Sequence, residues 1–246
     1  MKKIKVVKLA LVGNPNTGKT SLFNQLTGLN QKVGNYPGIT VDKKQGKCKI
    51  SDELTAEVTD LPGTYSINPS TLDETIVLET LLNKNNSSFP DLVIVVAEVE
   101  NLKRNLLLFS QIKDLQIPTL LVINMKDQMQ RKGITIDVEA LKKELKSEVI
   151  LISARKKIGI DELKKEIINY KDWDTNPTAN ISDKIDADFF KEVKKTFTNF
   201  SLYKSWLLIT QHEYCEFLTD EEQKKLKIFT ERKEQIKKYQ HKETIY

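Results

Sequence analysis

Apolar residues enter this chain first as short continuous blocks and later only at helical spacing. Residues 4–12 form the first block and read as a strand covered on both faces. Residues 21–26 follow as a helix that extends to about Thr27, after the intervening loop 13–20. Residues 30–42 are polar and punctuated by Gly and Pro, which predicts a long loop of the kind that tends to carry function. Strands are expected over 43–50 and 54–59, joined by the turn Ser51-Asp52-Glu53. Ser70-Thr71 with Asp73-Glu74 offers a capping box for a helix through Leu82. The alternation then becomes regular: strand 92–97, helix 102–115, strand 119–123, a helix from Val138 capped by Asp137, strand 149–152 and helix 161–170. This is the pattern of an α/β fold, a mostly parallel sheet with helices on both faces. Ligands on such sheets sit at the C-terminal strand ends, where residues 13–20, Asp60, Asn124 and Ser153 all fall.

Near Lys171 the pattern changes. Residues 1–171 read as one α/β domain, 172–185 as a polar linker, and 186–246 as a small all-helical domain. In the last, Phe189, Val193, Phe197 and Phe200 recur at helical spacing, followed by Trp206, Leu207, Tyr214 and Leu218. Thr219 and Glu222 form a capping box before a Lys/Glu-rich helix towards Tyr239.

Composition narrows the classes. The 246 residues are 39% hydrophobic and 30% charged, with a net charge of +5, ordinary for a globular chain with a real core. Lysines and acids nearly balance in the helical part, so no nucleic-acid arm is expected. Two distant cysteines, Cys48 and Cys215, argue against a disulfide scaffold and for a reducing compartment. The N-terminus superficially mimics a signal peptide, but Lys8 interrupts the apolar run and no small-residue cleavage site follows. No run is long enough to span a bilayer, so the chain as given is expected to contain no membrane span. His212 and Cys215, three apart on an expected helix, lack further ligands nearby, and packing is the favoured reading over a soft-metal site.

Residues 13–20, Gly-Asn-Pro-Asn-Thr-Gly-Lys-Thr, match G-x-x-x-x-G-K-[ST] in a strand–loop–helix context. Backbone N–H groups there can wrap a phosphate, Lys19 can reach the β- and γ-phosphates, and the Thr20 hydroxyl can sit on Mg²⁺. Asp60-Leu61-Pro62-Gly63 ends a strand as D-x-x-G: the carboxylate suits the Mg²⁺ shell and the Gly63 N–H can sense a γ-phosphate. Asn124-Met125-Lys126-Asp127 closes the next strand but one, where guanine recognition by N-K-x-D would lie. The Asp127 carboxylate can accept from guanine N1–H and the exocyclic amine, a pair adenine does not offer. Met125 replaces the usual Lys, so base stacking is expected to survive with modest affinity. Ser153-Ala154-Arg155 fits a loop whose N–H meets guanine O6. Thr40 is the candidate switch threonine for the Mg²⁺ shell. Thr64 stands where many GTPases carry a water-positioning Gln, so unaided hydrolysis should be slow or depend on another charge.

These stretches, GNPNTGKTSLFN (13–24), VGNYPGITV (33–41), DLPGTYSI (60–67), NLKRNL (101–106) with IP at 117–118, and NMKD (124–127), resemble the cytosolic N-terminal part of the ferrous-iron transport protein B (FeoB) family. The resemblance implies a P-loop GTPase fold followed by a helical domain resembling the family's domain that modulates GDP binding. It further implies slow hydrolysis of GTP to GDP, Mg²⁺ on Thr20, Thr40 and Asp60, and K⁺ on Asn16 in place of an arginine finger. Lys19, Asn16, Thr40 and Gly63 would carry the catalysis. The nucleotide would be held by Asn14, Asn16, Thr17, Gly18, Lys19, Thr20, Ser21, Gly38, Ile39, Thr40, Asp60, Gly63, Asn124, Met125, Asp127, Ser153 and Ala154. Glu98 stands where the family more often has Asp. The expected partners are guanine nucleotide, the transmembrane region of the same transporter, small regulatory proteins and a second copy, with no nucleic acid. The expected location is the cytoplasmic face of the bacterial inner membrane, in a fragment ending before the membrane region. The competing readings are an Era/TrmE-type GTPase acting on ribosome or tRNA, and a nucleotide-binding structural module without turnover.

Overall fold

The computed structural model describes residues 4–29, 31–36, 41–69, 71–178, 182–215 and 217–231. The chain divides into two compact units, Met1–Thr178 and Ala179–Tyr246.

The first unit is built on a seven-stranded sheet: β1 (Lys5–Gly13), β2 (Gln31–Asn35), β3 (Asp42–Lys49), β4 (Leu54–Asp60), β5 (Leu92–Glu98), β6 (Thr119–Asn124) and β7 (Val149–Leu151), in the order β2-β3-β4-β1-β5-β6-β7. Strands β4, β1, β5, β6 and β7 pair in parallel, and β2 and β3 add an antiparallel hairpin at one edge. The mostly parallel α/β sheet is thus as expected. The centre is apolar on both faces because helices cover both: Leu9–Val12, Leu92–Ala97 and Leu120–Ile123 are all buried. The next strand after β1 in sequence lies to one side and β5 lies to the other, so β1 ends at the point where the strand order reverses.

Strand β2 is a correction to the expected loop over 30–42. Its residues Lys32 to Asn35 are exposed, so they show no alternation of polar and apolar side chains, and the strand is made by backbone pairing to β3 alone. The helices of this unit are α1 (Lys19–Thr27), α2 (Leu72–Leu82), α3 (Leu102–Lys113), α4 (Lys126–Lys132), α5 (Val138–Leu145) and α6 (Ile160–Ile168). Thr71 caps α2 by accepting from the Glu74 N–H, and Asp137 caps α5 by accepting from the Ala140 N–H. Helix α4 was not expected, since its sequence KDQMQRK carries no apolar period. Residues 173–178, read from sequence as linker, are packed within this unit: Trp173 belongs to its core and donates its ring N–H to Glu166 at 2.8 Å.

The second unit holds α7 (Ser182–Thr196), α8 (Leu202–Thr210) and α9 (Asp220–Thr230). Helix α7 begins inside the stretch expected to be linker and is broken at Asp186, whose extended backbone (φ −160°, ψ 90°) lets its carboxylate accept from the Phe189 N–H and restart the helix. Phe189 packs edge-on against Phe190, Trp206 and Phe229, with ring centroids 5.2, 6.5 and 5.8 Å away. The expected capping box of Thr219 and Glu222 is present on α9. Tyr214, assigned from sequence to the apolar face, is instead exposed. His212 lies in a short 3-10 turn, His212–Tyr214, that Cys215 closes, rather than on an α-helix. Among the described residues no group of three or more His, Cys, Asp or Glu could hold a metal ion, and no helix is long and apolar enough to cross a membrane.

Candidate functional site

The loop 13–18 leaves β1 at the reversal point and turns directly into α1. Two of its residues have to be glycine. A Cβ on Gly13 would stand 2.5 Å from the Val96 carbonyl oxygen, and one on Gly18 would stand 2.2 Å from Asn124 Nδ2, with φ at +82°. The loop is closed from inside by the Thr17 hydroxyl, which donates to Asn14 O at 2.9 Å. Pro15 and Asn16 are exposed at its tip, and Asn16 takes φ 68°, a left-handed conformation that Asn tolerates better than most residues.

Residues from the end of β4 come to the same place. Leu61 N–H donates to Leu11 O and Thr64 N–H to Gly13 O, which lays the Asp-x-x-Gly segment alongside the phosphate loop. Asp60, 6% exposed, accepts from the Lys19 ammonium on one oxygen and from the Thr20 hydroxyl, at 3.0 Å, on the other. A cation, a hydroxyl and a carboxylate thus form one cluster at the start of α1. The two oxygen donors, Thr20 Oγ1 and Asp60, are of the hard type that suits Mg²⁺.

A second set gathers at the ends of β6 and β7. Asn124 is buried and braces two loops: its Nδ2 donates to Thr17 O at 2.9 Å and its Oδ1 accepts from the Ala154 N–H at 3.0 Å. Met125 follows at φ 68°, turning the chain into α4. Asp127 accepts from the Ser153 hydroxyl at 2.6 Å, and that bond holds its carboxyl below the usual carboxylate range, with Lys156 and Arg131 adding to it. The Ser153–Asp127 bond therefore contributes stability above the ordinary carboxylate range. That contribution is lost only as pH falls through the lowered value.

The structure thus brings together Asn14, Thr17, Gly18, Asn124 and Ala154 as one brace, Lys19, Thr20 and Asp60 as one polar cluster, and Asp127 with Ser153. Gly63 packs against Pro15 so closely that a Cβ placed on it would stand 3.3 Å from the Pro15 backbone and ring. Ser21 is exposed on α1. Gly38, Ile39 and Thr40 lie outside the described residues. Thr64 is fully buried, its hydroxyl 2.5 Å from Ser66 O and 2.8 Å from Glu74 Oε1, so its side chain is turned into the protein. The half-buried Glu98 accepts from Asn101 through its carboxylate, and its N–H donates to Asn105 Oδ1 at 2.7 Å.

Two groups carry a signal the motifs did not. Asn14 is 3% exposed, and neither atom of its amide has a partner among the described residues. Leaving such an amide unpaired costs about 1–3 kcal/mol, which a ligand group reaching it would offset. The Tyr36 hydroxyl is likewise buried without a partner among the described residues, and burial together with the nearby Asp60 charge pushes its pKa up. Their burial is not visible in a sequence, since a loop Asn or Tyr is by default solvated, although Asn14 is already expected among the nucleotide contacts.

A sheet of this order, with its phosphate loop at the reversal point and a guanine-type Asn-x-x-Asp two strands away, has the P-loop GTPase fold. The chain belongs to the ferrous iron transport protein B family, whose model matches residues 7–167. The Fe(2+) transporter FeoB of Leptospira biflexa is 45% identical over 161 residues, covering 65% of this chain and 23% of the relative. A Porphyromonas gingivalis fusion of Fe(2+) transport protein A with Fe(2+) transporter FeoB is 39% identical over 164 residues, covering 67% of this chain and 19% of the relative. The chain thus spans about a fifth to a quarter of the length of these curated relatives. Among solved structures, the cytosolic domain of the T. maritima FeoB iron transporter in a GDP form aligns with a TM-score of 0.75 at 31% identity, covering 95% of this chain and 97% of that one. The family assignment favours the transporter reading over the Era/TrmE alternative.

Proposed function

We propose that this chain is the GTP-binding and GTP-hydrolysing regulatory domain of a bacterial ferrous iron transporter, working at the cytoplasmic face of the inner membrane. The observation that carries the reading is the convergence of the Lys19–Thr20–Asp60 cluster and the Asp127–Ser153 pair on one phosphate loop, tied together by Asn124. The T. maritima relative in its GDP form supports guanine nucleotide as the ligand. The small partner that fits is a transport protein A, since the P. gingivalis relative carries one fused to its transporter. The remaining length of the relatives supports a transmembrane region in the full protein.

In this reading the loop N–H groups and Lys19 hold the β- and γ-phosphates, so Lys19 exchanges its Asp60 partner for phosphate oxygen. Thr20 and Asp60 are the residues that would hold Mg²⁺, which would neutralise phosphate charge there. Gly63 reports the γ-phosphate through its N–H, and Thr40 would add its oxygen to the metal shell. Asp127 accepts from the guanine N1–H and amine, and the loop of residues 153–155 faces O6. With Thr64 turned inward, no side chain at that position orients the attacking water, which supports slow turnover. Asn16, exposed at the loop tip, is the residue that would hold K⁺, a charge beside the transferred phosphate.

The test is release of phosphate from GTP and from ATP in K⁺ against Na⁺. Hydrolysis of GTP is expected to be about tenfold faster in K⁺, and Asn16→Ala is expected to remove that difference while leaving GDP affinity within about threefold. Full K⁺ stimulation in the variant refutes the cation site, and no phosphate release in any salt leaves a binding module without turnover. A second expectation follows from the lowered Asp127 pKa. The ratio of GDP affinities of the native chain and Asp127→Asn, in which nucleotide titration cancels, should stay flat as pH falls from about 7 into the ordinary carboxylate range near about pH 4. Calorimetric titrations across that range check it; a ratio that already falls in the ordinary carboxylate range would mean that Asp127 does not keep its lowered pKa.

A further inference from the structure

Helix α3 touches two segments that the nucleotide reading leaves unused. Near its C-terminal end, Gln111 is 9% exposed and its Oε1 accepts from both the Ser66 hydroxyl and the Ile67 N–H, each at 3.1 Å. Two turns earlier the Arg104 guanidinium lies over the Tyr65 ring, 3.8 Å from its centroid. Arg104 and Gln111 are seven residues apart and so share one helix face, along which the segment after Gly63 is laid. That same segment is joined to the phosphate loop by the Thr64 N–H on Gly13 O.

The next residues of the helix hold a different part of the chain. Lys113 is fully buried, and its ammonium donates to Lys146 O at 2.5 Å and Asp174 O at 2.7 Å. Asp114, which ends the helix, accepts at Oδ1 from the Thr178 N–H at 2.7 Å and the Thr178 hydroxyl at 3.1 Å. Burial pushes the Lys113 pKa down and the Asp114 pKa up, so both groups are held in place at a desolvation cost that their hydrogen bonds must offset. The contacts run to backbone groups of Asp174 and Thr178, so they fix the position of this segment. Leu108, Phe109 and Ile112 lock the helix between these tethers into the core.

We propose that α3 couples residues 64–67 to residues 174–178, so that a change of nucleotide felt at Gly63 is passed to the segment through which the chain enters its second unit. The coupling rests on the guanine-nucleotide reading above. The last turn of α3 can do this because both tethers leave it between Gln111 and Asp114, so neither can shift without breaking a hydrogen bond or moving the turn.

The experiment is amide hydrogen exchange on the whole chain with GDP and with a non-hydrolysable GTP analogue, both with Mg²⁺. Exchange at 174–178 is expected to differ about fivefold between the two states, roughly the worth of one hydrogen bond. Gln111→Leu should abolish that difference while residues 13–20 still respond to nucleotide. Gln111→Glu, which keeps an acceptor for both donors, should retain it. Ser66→Ala, a milder change on the opposite side of the same bond, should diminish it. A full difference at 174–178 in Gln111→Leu and Ser66→Ala overturns the coupling. So does a response at 13–20 in the native chain with none at 174–178. No response at 13–20 to either nucleotide overturns the guanine-nucleotide reading itself, and the coupling with it.

Discussion

Asp127→Asn is expected to lower affinity for GDP by about 100- to 1000-fold and to shift preference towards xanthine nucleotides. The carboxylate offers two acceptors to the N1–H and amine of guanine. An amide keeps one acceptor and presents an N–H₂ where guanine also presents one, so two donors face each other. Xanthine carries a carbonyl at that position and restores the pairing. The native fold should tolerate the change, because Oδ1 of Asn can still accept from the Ser153 hydroxyl, as Asp127 does at 2.6 Å. Titrations with fluorescent GDP and with xanthosine diphosphate check it. Unchanged GDP affinity would show that Asp127 does not read the base.

Asn124→Ala is expected to cost about 3 kcal/mol of stability in the first unit, a fall of roughly 6–12 °C in Tm, together with most nucleotide affinity. Asn124 lies 4% exposed and satisfies one carbonyl, Thr17 O, and one N–H, that of Ala154. Alanine leaves both unpaired inside the protein and removes the link between phosphate loop and base loop. Asn124→Asp separates the two effects: it can still accept from the Ala154 N–H but cannot donate to Thr17 O. Its Tm should fall at least as far as that of the alanine variant, because a carboxylate oxygen then faces the Thr17 carbonyl and an unpaired charge enters a 4% exposed site. Thermal unfolding followed by circular dichroism decides; a Tm within about 2 °C of the native chain for Asn124→Ala would show the brace to be unimportant for stability.

Much of this was legible in the chain because it depends on buried apolar strands and on motifs fixed in order. Strands β5 and β6, and β1 from Leu9 onwards, are covered on both faces and so appear as unbroken apolar runs; the phosphate loop, Asp60 and Asn124 follow as strand ends. What could not be read has a common physical character. Strand β2 and helix α4 are held by backbone bonds and local turns, with polar side chains that show no period. Gln111, Lys113 and Asn14 are polar residues in buried positions, and their types alone would place them in water. Residues 173–178 have linker composition, yet the contacts that fix them come from a helix about sixty residues earlier, a separation no local pattern encodes. Thr40 and its neighbours Gly38 and Ile39 remain expectations from sequence.

The inward-facing Thr64 also closes a route of descent. In a chain whose hydroxyl there protruded, replacement by glutamine could have installed a water-orienting amide in place of the cation proposed above. Here that longer side chain would first have to displace the contacts to Ser66 and Glu74 from a fully enclosed space, overpacking it at about 1–3 kcal/mol. On the reading proposed above, turnover is then more readily adjusted at Asn16, exposed at the tip of the phosphate loop.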